Sequence, residues 1–141
     1  MSGTAIVREL LANTSAVTAL VPAARIRAGI VPQGIALPAI GVHTISESEE
    51  GTIARGYAQK MIYERVQVTV YAKQDDTGSG YALMKRIMKA VALGAGVHTG
   101  VVLGFRVRSV MPWGVGPEIP PDDNKIYEQS RDFMVTFVEA N

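Results

Sequence analysis

Apolar and polar residues alternate along the middle of the chain. Ile62, Val66, Val68, Val70 and Ala72 fall on one parity, and Tyr63, Arg65, Gln67, Thr69 and Tyr71 on the other. A period of two, rich in valine, threonine and tyrosine, predicts a central strand over Met61–Lys73 with one dry and one polar face. The period then changes. Leu83, Met84, Ile87, Met88 and Val91 share one side of a helix, with Lys85, Arg86 and Lys89 on the other. This helix is expected to cover the dry face of the strand. Asp75, Asp76, Thr77 or Ser79 is expected to cap its start, and Gly94 and Gly96 to stop it.

The remaining elements follow from the same two periods. Ile6, Leu10 and Leu11 predict a helix over Thr4–Asn13, followed by a short turn from Thr14 or Ser15 through Val21 that Pro22 ends. Ala24–Ala28 reads as a short edge strand with Arg25 and Arg27 outward. Pro38–Ser46 reads as a strand with Ile40 and Val42 inward. Val101–Met111 follows the helix, with Leu103, Phe105 and Val107 inward and Arg106 and Arg108 outward. Ile126–Val138 closes the chain, with Phe133, Val135 and Phe137 inward and Ser130, Asp132 and Thr136 outward. The order α-β-β-β-α-β-β has no regular βαβ alternation. It predicts an α+β fold: a mainly antiparallel sheet of four to five strands with helices packed on one face.

Two segments depart from the pattern. Glu47–Lys60 opens with Glu47, Glu49 and Glu50, carries Arg55, and is too long for a tight hairpin connection. It is expected to be a mobile arm that a partner orders. Pro112–Asp123 is a proline- and glycine-rich loop around Trp113, the single tryptophan. That side chain either folds back over the core edge or anchors a partner.

Composition narrows the class. With 141 residues, 48% apolar and 19% charged, the chain is expected to form one globular domain spanning 1–141. A formal charge of +1 gives no global attraction to nucleic acid or anionic membranes. There is no cysteine, which excludes disulfides, thiolate metal sites and a cysteine nucleophile. No signal peptide is read, and no apolar run approaches the roughly 20 residues of a spanning helix, so no membrane partner is expected.

Catalytic chemistry has little to build on. His43 and His98 lack metal-ligand spacing, and each reads as an ordinary imidazole rather than a ligand or base. No G-x-S-x-G elbow is present. Thr77-Gly78-Ser79-Gly80 lacks the lysine of a phosphate-binding loop and reads as a helix start. The pairs Asp75/Asp76 and Asp122/Asp123 sit at junctions where aspartate caps and turns. No catalytic, cofactor-binding or metal site is expected. The polar sheet face is the sharper candidate, with Tyr63, Arg65, Tyr71, Arg106 and Arg108 joined by His43. It reads as a subunit interface or a solvated face, and less well as a single-strand nucleic-acid platform.

Several stretches together resemble the tail-completion family of tailed bacteriophages, also called head–tail joining or tail-terminator proteins. They are LLANTSAVTALV followed by Arg25-Ile26, PQGIALPAIGVHTIS over Pro32–Ser46, RVQVTVYAK with a helix straight after it, and IYEQSRDFMVTF over Ile126–Phe137. The resemblance lies in their order and spacing over nearly the whole chain. It implies a structural virion protein, not an enzyme and without a cofactor. It implies a ring, expected as a hexamer, at the head-proximal end of the tail. The implied partners are copies of itself, the tail tube protein and the head–tail connector protein, with nucleic acid only passing through the ring. The implied location is the tail or neck of the virion, and the host cytoplasm during assembly. The competing readings are a small ligand-binding or enzymatic α+β domain, marked by a pocket holding a histidine and an acid, and the nucleic-acid binder. Within the ring reading, Glu47, Glu49 and Glu50 of one subunit are expected to meet Arg65, Arg106 or Arg108 of the next.

Overall fold

The computed structural model describes residues 2–29, 31–32, 34–50, 59–74, 79–95, 98–121 and 125–140. The chain runs α1 (Ser2–Ala12), α2 (Ser15–Thr18), a 3-10 turn (Ala23–Arg25), β1 (Ile26–Ala28), β2 (Ala39–Glu50), β3 (Gln59–Lys73), α3 (Ser79–Ala95), β4 (His98–Val102), β5 (Phe105–Val115) and β6 (Ile126–Ala140). The six strands form one sheet in the order β1-β2-β3-β6-β5-β4. β1 runs parallel to β2, and every other pair is antiparallel.

The alternation in β3 is realised in full. Ile62, Val66, Val68, Val70 and Ala72 are all 0% exposed, and they meet Phe133, Val135 and Phe137 of β6 in the same buried cluster. The apolar side of α3 (Met84, Ile87, Met88, Val91) and that of α1 (Ile6, Val7, Leu11) close the core from the same face. Lys85, Arg86 and Lys89 are exposed, as their helical positions require. Arg8 ties α1 to the sheet edge, donating from Nε to the Ile26 carbonyl and from Nη2 to the Ala23 carbonyl, each at 3.0 Å. Gly94 lies inside α3 rather than ending it, and the absence of a side chain lets the helix lie against Thr14.

The expected four to five strands become six, and the sheet is mixed. Two causes are local. The stretch expected as one strand over Val101–Met111 is a hairpin, β4 and β5, turning at Leu103 and Gly104 with φ of 51° and 81°. Two consecutive positive φ values match the twist of a two-residue hairpin loop. Leu103, expected inward, is consequently 54% exposed. The second cause is β1, which the 3-10 turn delivers alongside β2 in the parallel sense.

The boundaries also move. β2 continues to Glu50 and β3 begins at Gln59, so both ends of the 47–60 segment are paired strand. β5 runs on through Pro112 and Trp113 to Val115, so the first residues of the 112–123 segment are strand too. Proline is tolerated there because β4 has already ended opposite Val110, and no described strand needs the missing N–H on that side.

Candidate assembly surface

The face of the sheet away from the helices carries the polar parity. His43, Gln67 and Asp132 share one row, and Gly41, Thr69 and Ser130 the next. Arg65 donates from Nε to Asp132 Oδ2 at 2.8 Å, with Nη2 at 2.6 Å, and Gln67 donates to Oδ1 at 3.2 Å. These bonds hold Asp132 nearly buried on a nominally open face. Thr69 and Ser130 share a 2.8 Å hydroxyl contact. Arg65 is therefore occupied within its own subunit and stitches β3 to β6.

The acids of the β2–β3 end are occupied in the same way. Lys60 Nζ donates to Glu49 Oε1 at 2.9 Å, and Tyr63 Oη donates to Glu50 Oε2 at 2.8 Å. Those contacts raise the Lys60 ammonium and the Tyr63 phenol above their ordinary values. Exposed pairs of this kind hold geometry loosely and contribute little stability. Glu47 is exposed beside them. Arg106 and Arg108, by contrast, are exposed and make no ion pair with the described residues. Arg106 lies on the outer face as expected, whereas Arg108 is the extra residue where the register slips between Val107 and Ser109. Arg55, Asp75, Asp76, Asp122 and Asp123 lie outside the described residues, as does the side chain of His98.

A cleft of about 620 Å³ opens on the outer face where the segment after β1 crosses Gly41, with Val31, Pro32, Ile35 and Leu37 on one wall and Tyr71 and His43 on the other. Gly41 is required here, because a Cβ at that position would stand 2.8 Å from Val31 Cγ2. A second groove of about 380 Å³ shares His43 and Tyr71 and adds Glu128 and Ile119. Burial, and then the Glu128 carboxylate beside it, push the Tyr71 phenol above its ordinary value, so it stays a neutral donor. A histidine and an acid thus do share a pocket. Among the described residues no cluster of three or more His, Cys, Asp or Glu side chains could hold a metal, and no helix is long and apolar enough to cross a membrane.

Trp113 is 57% exposed and does not fold back on the core. The chain after it is tied down. Gly116 N donates to Ser130 O at 2.8 Å, Ile119 pairs with Glu128, and Gln129 Nε2 donates to Gly116 O at 3.0 Å. Lys85 of α3 reaches Glu118 at 3.2 Å. Tyr81 and then Lys85 hold the Glu118 carboxyl below the usual carboxylate range. A depressed carboxyl contributes stability that is complete above its ordinary titration range and is lost as pH falls through the lower folded value. An NMR titration of Glu118 is expected to give a midpoint below that of free glutamate, and Tyr81→Phe should move it upward. A midpoint at the free value in the wild type would mean that this tether does not form.

Sequence reasoning missed the buried carboxylate of Glu64. Glu64 occupies the dry parity of β3 and is 0% exposed. Its carboxylate accepts from Gly3 N at 3.1 Å, Thr4 N at 3.2 Å and Thr44 Oγ1 at 2.7 Å. A carboxylate from the sheet thereby satisfies the first free N–H groups of α1, the end of a helix where negative charge is favourable. Its sequence trace is the gap that Glu64 leaves in an otherwise apolar parity.

The family model described as tail completion protein gp17 matches residues 5–109. The chain belongs to that family. As a tail completion protein it is a structural component of a phage tail, and hence of a virion. No curated protein matches it by sequence. Among solved structures, a chain from the virion of a native gene transfer agent (GTA) particle matches with a TM-score of 0.68 and 15% identity, covering 96% of this chain and 94% of that one. At that identity the likeness is one of fold.

Proposed function

We propose that this tail completion protein closes the head-proximal end of the tail as a ring, a hexamer, that terminates the tail tube and offers the head connector its docking surface. The observation that carries the reading is the family match over residues 5–109. The fold is consistent with it in two ways. Among the described residues helices cover only one face of the sheet, and five of the nine large exposed apolar side chains, Val101, Leu103, Met111, Trp113 and Val115, lie on β4, β5 or the turn between them. A sheet margin that exposes several large apolar side chains favours contact with a partner. Assembly would proceed in the host cytoplasm, with nucleic acid passing through the ring.

The test is to add the purified protein to polymerising tail tubes and image them. Tubes are expected to stop growing and to end in a ring that then binds head connectors. Tubes of unchanged length with bare ends would exclude the proposal. The groove that joins His43, Tyr71 and Glu128 supports a second reading, a small-ligand pocket. Under that reading His43→Ala and Glu128→Gln would impair function while leaving tube termination and connector binding intact.

A further inference from the structure

The strand rows of the sheet can be followed from one margin to the other. Glu50 of β2 leads through Met61 and Val138 to Arg106, and on to Val101 of β4. Glu49 leads to Gly100, and Glu47 leads to His98, by the same route. Thr44 and His43 lead to Pro112 and Gly114, so Trp113 lies between those two rows.

Each margin is stepped. β1 pairs with β2 only over Ile40–Val42, and β2 has no outer partner strand over His43–Glu50 among the described residues. β4 pairs with β5 only as far as Val110, and Met111–Val115 has no outer strand among the described residues. The steps are complementary. β4 projects in the rows where β2 is open, and β1 projects in the row of Val115, where β5 is open.

The chemistry is complementary along the same rows. The segment Ala39–Glu50 carries three carboxylates and neither lysine nor arginine, while His98–Val115 carries Arg106 and Arg108 and no carboxylate. Between the two steps stand the bulged residues of each margin, Ile45 on β2 and Trp113 on β5, which are 45% and 57% exposed.

We infer that neighbouring copies join side by side without sliding along the strands, the β4–β5 margin of one against the β2 margin of the next. This rests on the ring reading and says which surfaces make the ring. β4 of one copy then extends the sheet of its neighbour along the open edge of β2, the strand-addition mode of association. Arg106 and Glu50 share the outer face, two strand spacings or about 10 Å apart, within reach of two long side chains. Trp113 and Ile45 fill the gap that neither β4 nor β1 occupies. Because the two patches differ, the contact is head-to-tail and closes only as a ring.

The absence of native cysteine makes a clean test possible. Val101 and Glu50 end the same row, so Val101→Cys combined with Glu50→Cys is expected to oxidise into a ladder of covalent oligomers ending at the ring size. Either single variant should remain monomeric on the same non-reducing gel, and so should Leu93→Cys with Glu50→Cys. In parallel, Arg106→Glu with Arg108→Glu should abolish the ring species in sedimentation, and adding Glu49→Arg with Glu50→Arg should restore it. A wild-type ring in which the Val101–Glu50 disulfide does not form and the charge exchange does not rescue overturns the margin contact while leaving the ring standing. A wild type that forms no ring, alone or on tail tubes, overturns both. Disulfide dimers from a single variant would identify a two-fold contact and contradict the head-to-tail arrangement.

Discussion

Glu64→Ala is expected to destabilise the folded chain by about 3 kcal/mol. The carboxylate is fully buried and accepts from two backbone N–H groups of α1 and from the Thr44 hydroxyl. A buried ion pair can often be exchanged for apolar residues at little cost, but only when both partners are exchanged. Gly3 and Thr4 donate from the backbone, so removing Glu64 leaves both N–H groups without this acceptor in a buried site. Glu64→Gln keeps one acceptor oxygen and should lose about half as much. Gly3→Ala probes the same site from the helix side, since its Cβ would fall 2.6 Å from the Glu64 carboxyl carbon. Urea unfolding monitored by circular dichroism reads all three. A loss under about 1 kcal/mol for Glu64→Ala would mean that α1 does not depend on this anchor.

Phe137→Ala is expected to cost about 3–5 kcal/mol through the cavity it leaves. Phe137 is 0% exposed, is paired across β6 with Ile62 and Val107, and meets the Phe105 ring edge-on at a centroid distance of 5.6 Å and an interplanar angle of 78°. The site is where the β4–β5 hairpin joins the main core. The loss should therefore fall on the hairpin as well as on global stability. A double-mutant cycle with Phe105→Ala is expected to show coupling of about 0.5–1.5 kcal/mol. Additive losses, or a Phe137→Ala penalty below about 1.5 kcal/mol, would show that the hairpin is held elsewhere.

What could be read from the sequence was whatever leaves a period. The apolar residues expected inward on β3 and β6 are buried, because burying one face imposes strict spacing on a strand. The hidden features are those that break a period. The turn at Leu103-Gly104 lies inside a run without a polar side chain, Val101 to Phe105, where alternation cannot mark a reversal. The register slips beside Ile45, Arg108 and Trp113 each displace one side chain from its parity. A bulge depends on the pairing of two strands, which neither strand records alone. Glu64 is the clearest case. The Gly3 and Thr4 amides that it binds lie about sixty residues away, and an amide has no identity in a sequence.

The candidate surface was legible by residue type and less so by state. Tyr63, Arg65 and Tyr71 lie on the outer face, but Arg65 is bound to Asp132 and Tyr63 to Glu50. Arg106, Arg108 and Trp113 are exposed at one margin, and at the other Glu49 and Glu50 are held only by exposed contacts to Lys60 and Tyr63, which contribute little stability. The pair at the middle of the face ends on a buried carboxylate, Asp132, whereas the pairs at the β2 edge are exposed, and this difference moves the weight toward the two edges.

The central claim is that this tail completion protein acts as a closed ring on the tail end. Sedimentation velocity across a concentration series, with and without purified tail tubes, tests it most directly. A closed hexamer predicts one discrete species with the mass of six chains, formed on concentration or on tube ends and lost in the Arg106→Glu, Arg108→Glu variant. A chain that remains a monomer throughout and does not sediment with tubes would contradict it.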